Sequence, residues 1–104
     1  MNIIDKKEVW IGVIGIVPKV ETTILGNNGA YTNLILIAGN KAEYIEKANL
    51  YCEINNFQLL EVEDVEPVSL RKRRFSLSEG ILGVVDDVIK NEQPQITTLH
   101  VFKL

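Results

Sequence analysis

The chain has 104 residues, 46% of them apolar and 24% charged, with a formal net charge of −3. That is enough for one hydrophobic core and too little for two, so residues 1–104 are expected to form a single folded domain rather than a disordered or collagen-like chain. The longest apolar run, Val9 to Val17, is about half of a bilayer span, so no membrane segment is expected.

The single cysteine, Cys52, has no partner for an internal disulfide, and no basic-then-apolar leader opens the chain; both features point to the cytoplasm. Val9-Trp10-Ile11-Gly12-Val13-Ile14-Gly15-Ile16-Val17 is rich in β-branched residues and apolar on both alternating sets, the pattern of a strand buried on two faces. It stops at Pro18. A second strand is expected near Tyr31 to Ala38, and the Gly26-Asn27-Asn28-Gly29 connection, whose residues tolerate positive φ, makes the two a hairpin with a long tip. Asn40 and Glu43 are spaced as a capping box for a helix to about Asn55, with Tyr44, Ile45, Ala48, Tyr51 and Cys52 on one face. Phe57 to Val65 follows as a strand in which Leu60 and Val62 alternate with Glu61 and Glu63, one face packed and the other wet. Pro67 closes it. Ser76 and Glu79 form a second capping box before a helix to about Asn91, whose buried stripe is Ile81, Leu82, Val85, Val88 and Ile89. Ile96 to Phe102 is the last strand.

The order ββαβαβ predicts an α+β fold, an antiparallel sheet of about four strands with two helices packed on one face. Helices on one side leave half of the first strand bare unless a partner or sheet curvature allowed by Gly12 and Gly15 covers it, and in an open sheet the set Trp10, Ile14 and Ile16 is expected to carry that exposed face, opposite Val9, Ile11, Val13 and Val17.

Cys52 sits mid-helix on the apolar face without a basic neighbour, as a buried structural thiol does. One cysteine and one histidine, His100, cannot make a zinc site, so no metal is expected. Neither Gly26-Asn27-Asn28-Gly29 nor Gly80-Ile81-Leu82-Gly83 has the spacing of a phosphate-binding loop; no cofactor and no enzymatic activity are expected. Charge is more informative. From Glu43 to Glu66 seven acids stand against one base, Lys47, a net −6. Glu61 and Glu63 project from one strand face, and together with Glu53, Asp64 and Glu66 they are expected to bind a basic macromolecule drawn in by long-range attraction. Arg71-Lys72-Arg73-Arg74 stands alone in an acidic chain with only Phe75 as an adjacent ring, and reads as a solvated linker rather than a nucleic-acid site.

The run NNGAYTNLILIAGNKAEYIEKANLYCEINNFQLLEVEDVEP resembles small bacterial immunity proteins of polymorphic toxin and contact-dependent growth inhibition systems, a likeness confined to residues 9 to 67. The resemblance implies a cytoplasmic toxin inhibitor that binds a cognate toxin domain, often a nuclease, and blocks it. Charge agrees, because nucleases that grip phosphates are basic and an acidic partner complements them. The expected function is therefore non-catalytic neutralisation of a basic toxin, a nuclease by preference, through an acidic surface. The alternative is a small regulatory or ligand-binding domain that forms a homodimer through its sheet; a third reading is an enzyme with Glu61, Glu63 and His100 in one cleft.

Overall fold

The computed structural model describes residues 6–19 and 28–103; Gly26 and Asn27 of the expected hairpin tip lie outside them. Strands β1 (Glu8–Pro18) and β2 (Gly29–Ala38) form the expected antiparallel hairpin, in register from Glu8 opposite Ala38 to Ile16 opposite Ala30. Strand β3 (Phe57–Pro67) pairs antiparallel with the other side of β1, which places the most continuously apolar strand inside the sheet, where both of its faces can be covered. The expected last strand is two short pieces, β4 (Gln95–Ile96) and β5 (His100–Phe102), both antiparallel to β2. Between them the Thr97 N–H donates to the Asn33 carbonyl at 3.0 Å, so the break keeps its backbone bonding to β2.

Helix α1 (Lys41–Ile54) starts as its sequence predicts: the Asn40 side chain accepts from the Glu43 N–H at 2.8 Å. The reciprocal half of the box is displaced by one residue, because the Glu43 carboxylate takes the Gly39 N–H at 3.1 Å and pairs with Lys7 from the strand side. Tyr44, Ala48 and Cys52, four apart and therefore stacked along one stripe, are buried against Ile14, Ile16, Leu34, Leu36 and Phe57. Tyr44 anchors the helix. Its ring lies over Gly12, where a Cβ would stand 2.7 Å from the phenolic oxygen, and its hydroxyl donates to the Leu34 carbonyl at 2.7 Å. Only glycine leaves that space.

Helix α3 (Glu79–Asn91) packs on the opposite face of the sheet, which corrects the expectation that both helices share one side. Val85 and Val88, with Ile81 and Val84 beside them, cover Ile11, Ile35, Val9 and Ile37, and Val68 of the single-turn helix α2 (Val68–Arg71) joins the same layer. Even-numbered residues of β1 and β2 thus meet α1 and odd-numbered ones meet α3. Two alternating apolar sets require two covers, at roughly 1.5–3 kcal/mol per fully buried aliphatic side chain, and the molecule supplies both. Trp10 is placed accordingly: it is half-buried against the α1 layer and not on a bare face. The α3 cap is Ser78, which accepts from the Ile81 N–H at 3.2 Å, two residues beyond the expected Ser76. Glu92, in the left-handed region at φ 55°, ends the helix.

Candidate functional site

Helix α3 covers only the end of the sheet that carries Val9, Ile11, Ile35 and Ile37. Beyond it no described helix covers the same face. Register aligns one row across four strands there: Glu61 on β3, Gly15 on β1, Tyr31 on β2 and His100 on β5. Glu63 lies opposite Val13 on the next row, and Phe102 lies opposite Gly29 on the row beyond Tyr31.

Two glycines shape this surface. A Cβ on Gly15 would stand 3.0 Å from both the Tyr31 Cε1 and the Glu61 Cγ, so the tyrosine and the glutamate lean toward each other across the gap that Gly15 leaves. A Cβ on Gly29 would fall 2.3 Å from the Phe102 Cζ, so that ring lies directly over the glycine. The Tyr31 and Phe102 centroids are 4.9 Å apart with the planes tilted by 34°, and Tyr31 is 40% exposed. Hydrogen bonding to the Glu61 carboxylate, with further repulsion from Glu61 and Glu63, holds the Tyr31 phenol above its ordinary pKa. Sequence reasoning missed both rings. Glycines inside strands were the available signal, since they mark a close approach.

The structure divides the five acidic residues expected to bind a partner. Glu61 and Glu63 lie together on the open face. Asp64 is at a β-bulge with φ 52°; its side chain is exposed, and its carbonyl accepts a hydrogen bond from Arg71. Glu66 is engaged internally, 3.6 Å from the Arg71 Nε and hydrogen-bonded to Arg74, which holds its carboxyl below the usual range with help from Arg71. Glu53 is an exposed residue of α1 on the other side of the sheet and shares no surface with Glu61 and Glu63. The basic tetrad, in turn, is not uniformly solvated: Arg71 is folded back on β3, Arg74 pairs with Glu66 and lies 5.4 Å over the Phe75 ring, and Lys72 and Arg73 are exposed.

Catalytic geometry is not assembled around the sequence candidates. Glu61 and His100 occupy the two ends of a four-strand row, roughly 14 Å apart at the usual strand spacing, with Tyr31 between them. Cys52 is buried on the α1 side, and burial pushes its thiol up to about 11. Among the described residues no three metal-ligating side chains cluster, and no helix is long and apolar enough to cross a membrane. A cleft of about 410 Å³ beside α1 is lined by Leu36, Leu50, Tyr51, Ile54 and Pro94, and its one cation, Lys47, already donates to the Ile37 carbonyl at 2.7 Å. No family model matches the chain, and no curated protein or solved structure matches it either.

Proposed function

We propose that this protein is a non-catalytic binding protein that neutralises a cognate basic toxin domain, a nuclease in the reading taken from the resemblance to immunity proteins, by docking it on the open half of the α3-side sheet face. The observation that carries this reading is the placement of Glu61, Glu63 and Tyr31 on neighbouring rows of a sheet face that no described helix covers. Carboxylates there steer a basic partner and fix its register, while a sheet surface already ordered in the free protein loses little entropy on binding. Asp64 forms the rim of this surface, Glu66 serves Arg71 and Arg74, and Glu53 plays no part. A protein that acts on a toxin in this way works in the cytoplasm.

The second reading, a domain that dimerises through a bare face of its first strand, loses much of that face to α1 and α3; what remains to it is the outer edge of β3, which pairs with no strand among the described residues. Two irregularities in the β1–β3 register and the acids along β3 work against edge-to-edge pairing. Co-expression with a basic nuclease toxin domain from the same source separates the two. Growth protected by the wild type and lost with Glu61→Lys plus Glu63→Lys supports neutralisation. A stable dimer by sedimentation equilibrium without any protection supports the alternative.

A further inference from the structure

The open face holds more than acidity. Tyr31 stands beside Glu61 and Phe102 packs against Tyr31 on the side away from Glu63, and both rings are brought down over the sheet by strand glycines. We propose that Tyr31, Phe102, Glu61 and Glu63 form a receptor for the guanidinium group of an arginine side chain presented by the basic partner. This rests on the binding reading above and names the chemistry the face selects.

The Tyr31 ring leans toward Glu61 across the gap at Gly15, and its exposed part is left for contact. A planar cation stacks on such a face through the ring quadrupole, and Phe102, whose ring centroid is 4.9 Å away, packs against Tyr31 and supports it. Glu61 stands on the Tyr31 row and Glu63 on the row away from Phe102, two residues and roughly 7 Å along β3, so a cation stacked on Tyr31 finds carboxylates on the β3 side for its fork of N–H donors. Arginine satisfies stacking and forked hydrogen bonding at once; a lysine ammonium is compact, strongly hydrated and matches only the charge. A second copy of this chain docked through the same face would bring two acidic surfaces together, which like-charge repulsion opposes.

The test uses acetyl-arginine-methylamide and the corresponding lysine compound as probes, titrated into the full chain and followed by backbone and aromatic NMR shifts. The expected result is shifts centred on Gly15, Gly29, Tyr31, Glu61 and Phe102, with the arginine compound binding about threefold or more tightly than the lysine compound. Phe102→Leu and Tyr31→Leu should erase that preference, Phe102→Tyr should keep it, and Glu61→Gln should weaken both probes; the spectrum of each variant reports whether it is folded. Equal binding of the two probes, a preference unchanged by Phe102→Leu, shifts centred on the α1 side, or no shifts at all would overturn the receptor. The co-expression assay reports on the binding reading independently, so protection that depends on Glu61 and Glu63 without any arginine preference leaves that reading standing and removes this one.

Discussion

Tyr31 and Glu61 lean toward each other across Gly15, each with a side-chain carbon 3.0 Å from where a Cβ on that residue would stand, over a residue that has no side chain to keep them apart. Ionising Tyr31 would place a phenolate next to a carboxylate and lose the donated proton, so its folded pKa is raised. The stabilisation this represents is full below the ordinary phenol value and is lost as pH rises through the raised one. Glu61→Gln should bring the Tyr31 titration, followed by its ring resonances, back toward the ordinary value. Gly15→Ala, which forces a methyl to within 3.0 Å of both side chains, should lower it in the same direction by separating the pair. An unchanged midpoint in both variants would mean that the two groups do not interact in solution.

The same device operates on the other face, where Gly12 makes room for Tyr44. Tyr44→Phe removes a buried hydrogen bond to the Leu34 carbonyl and should cost about 1–2 kcal/mol. Gly12→Ala should cost at least as much, about 1–3 kcal/mol, because the new methyl would lie 2.7–2.9 Å from the phenol and from Val65 and must displace them. Denaturant melts of the two variants check both values, and a neutral Gly12→Ala would show that α1 is not anchored through this contact.

These two tyrosines mark how far the sequence could be read. The α+β class, the hairpin, the Asn40 cap and the buried stripe of α1 followed from period and capping alone. The side of the sheet on which each helix lies did not, because periodicity specifies a buried stripe but not the path of the connection from β3 through α2 to α3; only the two apolar sets of β1 hinted that a second cover was needed. Tyr31, Glu61 and Phe102 are distant in sequence and are joined by strand register, so no local pattern announces them. Glu66 was legible as an acid but not as one already spent on Arg71 and Arg74, since that pairing depends on the turn that α2 makes after Pro67.

Glu66 gives a prediction in the acid range. Its hydrogen bond with Arg74 and the nearby Arg71 charge hold its folded pKa below the usual carboxylate value, so its contribution to stability is present above that value and fades as pH falls through the depressed one. Glu66→Gln should therefore flatten part of the stability loss below the usual carboxylate range. It should also loosen the Arg71 to Arg74 turn, seen as faster amide exchange there. An acid limb identical to that of the wild type would assign the loss to other carboxylates, Glu43 first among them.

Cys52 gives the alkaline counterpart. Burial raises its thiol from 9.0 to about 11, so the neutral form is favoured in the folded state and stability attached to it is lost as pH rises from about 9 through 11. Cys52→Ser should cost about 1–3 kcal/mol at neutral pH by burying a hydroxyl without a partner, while leaving partner binding on the far face intact. Labelling by a thiol reagent should proceed at the rate of unfolding; rapid labelling of the folded protein would contradict the burial.

Trp10 tests the two-sided core. Had both helices shared a face, a charge at Trp10 would have changed association more than folding. With α3 on the opposite side, the Trp10 ring packs on the α1 layer, and its indole N–H is buried without a hydrogen-bond partner among the described residues. Trp10→Glu should then destabilise by on the order of 3 kcal/mol, through lost packing and a carboxylate brought against apolar side chains, with the sedimentation mass unchanged. Trp10→Phe should stay within about 1 kcal/mol of the wild type, because the lost ring area is offset by removal of an unsatisfied donor. Denaturant melts and sedimentation equilibrium on both variants decide the matter: a Trp10→Glu protein as stable as the wild type but of altered mass would put Trp10 in an interface and reopen the case for a sheet-mediated dimer.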